Sequence, residues 1–327
     1  MPLPHSDNAF TATSLSQKSD DETFAGALSF MRRRYTRDLD GVDAVVWGVP
    51  FDQAVSNRPG ARFGPRGIRA ASAIMDNDPQ WPFDSYIFDE LNVIDYGDCT
   101  FDYALQQNVD EEIHRQAREV MDSPSQPYLL TLGGDHSITY PLLKAHAEKY
   151  GPPALVQFDA HQDTWPHPEG GISHGSIVGR AADEGLIDPD CSIQIGIRTH
   201  APRTCGIEII DAFEADDLSV TDLARRIYDR TGGTNVYLTF DIDGLDPAFA
   251  PGTGTPVAGG LSTVKALRTL RALKNIVFVG SDVVEVAPPY DHAETTSIAG
   301  AAVACMMLGL LWERRQNAGT FHEKDRS

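Results

Sequence analysis

The chain of 327 residues is long enough for two modest domains or one large α/β domain. With 41% hydrophobic and 23% charged residues it is neither disordered nor fibrous. Its 47 acidic residues against 27 basic ones give a formal net charge of −20, which argues against a nucleic-acid or anionic-membrane partner and is compatible with a small cationic ligand.

Residues 1–30 read as a polar arm without the positive start and apolar run of a secretory leader. The four cysteines, Cys99, Cys191, Cys205 and Cys305, are dispersed and form no Cys-x-x-Cys pair, so a reducing, cytoplasmic setting is expected. Arg32–Arg34 with Arg37 is a short basic run, expected on a helix face or an interface. Near-continuous apolar runs predict buried parallel strands at Ala44–Trp47, Leu129–Leu132, Ala154–Phe158, Ile193–Ile197, Val236–Phe240 and Val277–Val279. The turn-rich stretch 57–67 is expected to be a functional loop. Ser219 and Asp222 predict a capping box, Leu223, Ile227 and Tyr228 an apolar stripe, and Gly232-Gly233 the end of that helix. Ile298–Leu311 is about 14 residues, short of the ~20 of a transmembrane helix, and predicts a buried helix followed by a polar tail over 313–327. Alternating strands and helices predict one α/β domain over 31–312, built on a parallel sheet.

Three of these strands end in polar clusters. TLGGDHS places Asp135 and His136 beyond a Gly-Gly bend, LVQFDAHQDTW places Asp159, His161 and Asp163 at alternate positions, and VYLTFDIDGLDP does the same with Asp241 and Asp243. Positions i, i+2 and i+4 of an extended segment share a side, and ligands gather outside the carboxyl ends of parallel strands. Carboxylates gathered with two histidines would repel one another without a cation. Carboxylate oxygen and imidazole without thiolate suit manganese, with nickel, cobalt, iron or zinc as alternatives. Six such ligands, two of them able to bridge, fit a paired site that activates water for hydrolysis.

GGDHS, FDAHQD, FDIDGLDPAFAPGTGTPVAGGL and DVVEVAPPYD resemble the motifs of the ureohydrolase (arginase/agmatinase) family, from GVPFD at Gly48 to the last helix. PGARFGP, EGLID, SIQIGIRT, VYLTFDID and APGTGTPV are most similar to its bacterial agmatinases. The resemblance implies a three-layer α/β/α sandwich with a mostly parallel, about eight-stranded sheet, assembled as a homo-oligomer, a trimer or hexamer. It implies two Mn2+ per subunit, with Ni2+ as the alternative. One would be held by His136, Asp159, Asp163 and Asp241, the other by His161, Asp159, Asp241 and Asp243. Asp163, His174 in ISHGSIV and Glu285 in DVVEVAPPYD are the expected catalytic residues; Glu285 would bind guanidinium and His174 would move a proton to the departing amine.

The reaction implied is cleavage of a guanidinium C–N bond to urea and an amine. The loop TWPHPEGGISHG lacks the Ser/Asn-rich character of an amino-acid head-group site, which favours agmatine, giving putrescine and polyamines, over arginine. Trp165 and His167 lie on that loop without an assigned role. Gln162 and Ser176 depart from the family pattern beside the site and leave open guanidinobutyrate, guanidine, an alkylguanidine or a biguanide as substrate. A one-metal amidohydrolase of the same fold and an inactive paralogue subunit are the remaining alternatives.

Overall fold

The computed structural model describes residues 7–16, 22–75, 79–166, 171 and 173–324. Eight strands form one wholly parallel sheet: β1 (Ala44–Val49), β2 (Val93–Asp98), β3 (Tyr128–Gly133), β4 (Ala154–Phe158), β5 (Ile193–Ile197), β6 (Glu208–Asp211), β7 (Asn235–Asp241) and β8 (Val277–Val284). Their order is β2-β1-β3-β8-β7-β4-β5-β6. The six predicted strands are the inner ones, except that β8 runs five residues past Val279 to Val284. The two missed strands, β2 and β6, are the sheet edges; VIDYGD and EIID are half polar because an edge strand is not covered on both sides.

Alternation along each strand feeds two separate apolar layers. Ala44, Val46, Val156, Phe158, Leu238 and Phe240 enter one, with helices α2 (Gly64–Ser72), α7 (Val220–Thr231), α8 (Thr263–Ala272) and α9 (Thr295–Lys324). Val45, Trp47, Leu155 and Tyr237 enter the other, under α3 (Val109–Met121), α4 (Thr139–Tyr150) and α5 (Ile177–Asp183). The result is the expected α/β/α sandwich, with α6 (Ala212–Asp217) beside β5 and β6. The N-cap half of the expected capping box is made at α7, where Ser219 Oγ accepts from Asp222 N–H at 3.1 Å while the Asp222 carboxylate accepts from the Ser219 hydroxyl at 2.7 Å, and Gly232 closes the helix at φ +60°.

The termini differ from expectation. Part of the arm is folded on: α1 (Asn8–Thr11) buries Ala9, and Tyr35 N–H donates to the Ala9 carbonyl at 2.7 Å. Residues 1–6, 17–21 and 325–327 lie outside the described residues. α9 continues to Lys324 through what reads as a polar tail, helped by ion pairs of Glu313 with Arg271 and of Arg315 with Asp43. Its most apolar 18-residue window has a mean hydropathy of 1.6, enough by length and composition for a membrane span, but 72% of that window is buried inside the protein. The basic run is divided, with Arg37 exposed and Arg34 half-buried. Arg32 and Arg33 are buried, and Arg32 donates to the carbonyls of Glu22 and Ala25 at 2.6 Å.

Candidate active site

The crossover from β3 to β4 leaves room for β8 and β7 between them, so β3-β8-β7-β4 are neighbours at the centre of the sheet. All the predicted ligands and Glu285 stand at the carboxyl ends of these four strands, where a parallel sheet collects its ligands. His136 follows β3, Asp159, His161 and Asp163 follow β4, Asp241 ends β7 with Asp243 just beyond, and Glu285 follows β8. Asp163 and Glu285 hold φ of +51° and +65°, backbone strain of the kind that collects at functional sites.

His136 Nδ1 lies 2.9 Å from Asp163 Oδ2, 3.1 Å from Asp159 Oδ2 and 3.3 Å from Asp241 Oδ2. His161 Nδ1 lies 3.1 Å from Asp243 Oδ2 and 3.4 Å from Asp159 Oδ1. The sets His136/Asp159/Asp241 and Asp159/His161/Asp243 each bring their donor atoms within 4.8 Å of one another. Asp159 thus faces both histidines. Among the described residues the buried Nδ1 of His136 has no hydrogen-bond partner. Its other nitrogen, Nε2, donates to Thr239 Oγ1 at 2.9 Å, because the Thr239 hydroxyl itself donates to Asp282 Oδ1 at 2.5 Å. Asp282 also accepts from Tyr237 and Thr139, both at 2.8 Å. This relay turns His136 Nδ1 toward three carboxylates, a place for a proton or, in its stead, a metal ion.

The electrostatics agree. Burial, then Asp243 and Asp159, holds Asp241 well above the usual carboxylate range, and burial with Asp159 raises Asp163 and Asp243. Burial pulls both imidazoliums down, but the surrounding carboxylates win, lifting His136 strongly and His161 to about 12. Burial opposes ionisation of Asp159, yet its bonds to the two histidines lower it. The cluster therefore retains protons that a divalent ion would displace, and its oxygen and imidazole donors fit such an ion.

Glu285 is fully buried. Its Oε1 accepts from His136 N–H and His174 Nδ1–H, each at 2.9 Å, while Oε2 has no partner among the described residues. Burial pulls the His174 imidazolium down and Glu285 pulls it up further, to about 9. A second proton would have to enter at Nε2, where Ser56 N–H already points from 3.0 Å, so the ring in this arrangement is neutral. Burial, then the Glu285 charge, also lifts Asp135, to about 7. A cavity of about 290 Å³, near the lower end of the small-molecule range, opens over the cluster; Ser56, His161, Asp163, Trp165, His174 and Asp241 line it.

Gln162 turns away, as alternation requires: its Oε1 accepts from Ala201 N–H at 3.3 Å, and it lines a separate 630 Å³ cavity with Arg198 and Phe213. Ser176 donates to the Ser173 carbonyl at 3.4 Å, and neither side chain lines the cavity over the cluster. Trp165, 53% exposed, stands at the cavity wall, and His167 lies outside the described residues. Sequence reasoning missed Thr239, Asp282, Gln157 and Ser56. Gln157 Nε2 donates to Asp159 Oδ2 at 2.7 Å.

Fold and cluster together define an α/β protein with a candidate two-metal centre at the carboxyl edge of a parallel sheet. The arginase-family profile matches residues 42–309. An agmatinase from Chromobacterium violaceum is 48% identical over 97% of this chain and 98% of its own. The crystal structure of a hypothetical agmatinase from Burkholderia thailandensis superposes with a TM-score of 0.94 at 50% identity, covering 96% of this chain and 98% of that one. Proclavaminate amidino hydrolase from Streptomyces clavuligerus gives 0.84 at 38% identity, covering 90% and 100%. The chain belongs to the arginase family and is a hydrolase of the ureohydrolase type.

Proposed function

We propose that the protein hydrolyses agmatine to putrescine and urea, using two manganese ions. His136, Asp159, Asp163 and Asp241 would hold one ion, and His161, Asp159, Asp241 and Asp243 the other. The single observation that carries the reading is the buried Oε2 of Glu285 beside this cluster, a carboxylate oxygen with no hydrogen-bond partner among the described residues and suited to a planar cation. Bound metal supplies Lewis acidity and a water acidic enough to react near neutral pH.

The chain's own groups do the rest. Glu285 receives the guanidinium and holds its carbon at the cluster. As the Ser56 contacts at Nε2 give way, His174 takes a proton there while the oxygen of water adds to that carbon, and returns it to the amine nitrogen as the C–N pair departs. The second water proton follows, so a guanidinium and water leave as an ammonium and neutral urea. Thr255, on the cavity wall, donates to Asp243 at 3.2 Å and steadies it. The described cavity wall carries no Arg or Lys to pair with a substrate carboxylate, which disfavours arginine and guanidinobutyrate. With Gln162 and Ser176 turned away, neither departure reshapes this cavity.

The test is urea release from agmatine, arginine, guanidinobutyrate, guanidine, an alkylguanidine and a biguanide, with metal content measured on the same sample. Agmatine is expected to give the highest kcat/KM at about two manganese ions per chain. Preference for another guanidine refutes the substrate, and nickel in the active sample refutes the metal.

A further inference from the structure

Ser56 lies in the loop between β1 and α2 and takes up no proton in the reaction above, yet both of its polar groups converge on one atom. Its N–H donates to His174 Nε2 at 3.0 Å, and its hydroxyl oxygen lies 2.8 Å from the same nitrogen. A main-chain N–H can only donate, so Nε2 must present a lone pair, and the hydroxyl beside it can then only donate as well. The single ring proton therefore sits on Nδ1, 2.9 Å from Glu285 Oε1.

We propose that Ser56 is a positioning residue that fixes His174 as the Nδ1–H tautomer, so that the imidazole meets the reaction as a proton acceptor on its cavity side. The Nδ1 proton stays committed to Glu285, and Nε2 keeps its lone pair, held by the two Ser56 donors until the proton that water releases displaces them. In the opposite tautomer Nε2 would carry a proton, Ser56 N–H would lose its acceptor, and Nδ1 would turn a lone pair on a buried carboxylate. The inference rests on the ureohydrolase reading and deepens it.

The loop is stitched on both sides of Ser56, as a precise placement requires. Asp52, buried, accepts from Gly60 N–H at 2.7 Å, Arg62 N–H at 3.2 Å and Arg62 Nε at 2.5 Å. Ala54 N–H donates to Asp135 Oδ2 at 2.9 Å, and the Ala54 carbonyl accepts from His174 N–H at 3.3 Å. Asn57 Nδ2 donates to the Gly254 carbonyl at 2.9 Å. These bonds hold the chain independently of the serine hydroxyl, so the hydroxyl can be removed without releasing the loop.

Two measurements test the proposal on the full-length, metal-loaded enzyme. Ser56→Ala keeps the main-chain N–H, and with it the tautomer, but removes the hydroxyl's share of the positioning; it is expected to lower kcat for agmatine about tenfold with KM, melting temperature and metal content unchanged, and Ser56→Thr to restore kcat. Unchanged kcat in Ser56→Ala, a rise in KM alone, or failure of threonine to rescue overturns it. A neutron map of the unaltered enzyme at neutral pD should show deuterium on Nδ1 of His174 and none on Nε2; deuterium on Nε2 overturns it even if the variants do not fold. Absence of agmatine hydrolysis by the unaltered enzyme would instead refute the proposed substrate, and the neutron map would still decide the tautomer.

Discussion

Glu285→Gln isolates the guanidinium contact from everything else this residue does. The amide is close in size and keeps an oxygen that can accept from His136 N–H and His174 Nδ1–H, the two bonds now made at 2.9 Å. What changes is Oε2, buried and without a partner among the described residues, which becomes an amide nitrogen that donates where the guanidinium also donates. Losing one charge-assisted hydrogen bond is worth about 1.5–3 kcal/mol, or roughly a 10- to 150-fold fall in kcat/KM for agmatine. Stability should move the other way: removing a buried, half-satisfied carboxylate relieves desolvation, so the melting temperature should hold or rise. Urea release at several agmatine concentrations, with melting and metal analysis on the same preparation, checks both signs. A kcat/KM within twofold of the unaltered enzyme, or a loss accompanied by lost metal or lower melting temperature, refutes the assignment.

The other predictions address the surroundings of that contact. Gly254→Ala would set a methyl 3.1 Å from the Arg58 carbonyl and 3.2 Å from Glu285 Oε2, so kcat/KM should fall about tenfold with metal content intact; full activity would show that this oxygen is not used. Thr239→Val removes the hydroxyl between His136 and Asp282 and should weaken metal binding about 10- to 100-fold by competition with a chelator, while unchanged affinity would refute the relay. In the metal-free protein Asp135 stands near 7 against an ordinary 3.8, His161 near 12 against 6.5, and Asp241 and Asp163 are raised too. Groups raised by folding stabilise fully below their unfolded values and lose that contribution as pH climbs through the folded ones, with only Asp159 in the cluster opposing. Melting temperature without metal should therefore fall from about pH 5 to about pH 9, whereas added manganese should stabilise more at the higher pH; a metal-free curve that rises contradicts the proton-holding cluster.

The parts of the fold that the sequence disclosed are those whose physics is local. β1, β3, β4, β5, β7 and β8 are buried on both faces and are apolar along most of their length, whereas β2 and β6 at the edges need not be, and VIDYGD and EIID carry no strand signal. The helical fate of Glu313–Lys324 was hidden for a related reason: its support comes from partners such as Arg271 and Asp43, far away in the chain. At the site, Asp159, His161 and Asp163 were legible because alternation alone puts them on one side and turns Gln162 to the other. Ser56 was not, because it meets His174 across 118 positions of chain.

Thr239, Asp282 and Gln157 were illegible for a reason that also explains the site's rigidity. Thr131 pairs with Asp282, Asp282 with Thr239, Thr239 with Gln157, and Gln157 with Gln194, so five fully buried polar residues form one continuous row across β3, β8, β7, β4 and β5. No spacing within any single strand announces the row; it exists only once strand order and register are set. Buried polar groups are tolerated when bonded. These bonds lead to the cluster: Gln194 Nε2 donates to Gln157 Oε1 at 2.6 Å, Gln157 to Asp159 at 2.7 Å, and Thr239 links His136 to Asp282. The row's outermost atoms, Thr131 Oγ1 and Gln194 Oε1, have no hydrogen-bond partner among the described residues, so bonding is complete only where it reaches the ligands. Orientation of His136 and Asp159 is thus set by the rigid centre of the sheet, which holds a ligand atom more closely than a loop can. A substitution in this row should therefore disturb metal binding before it disturbs the fold.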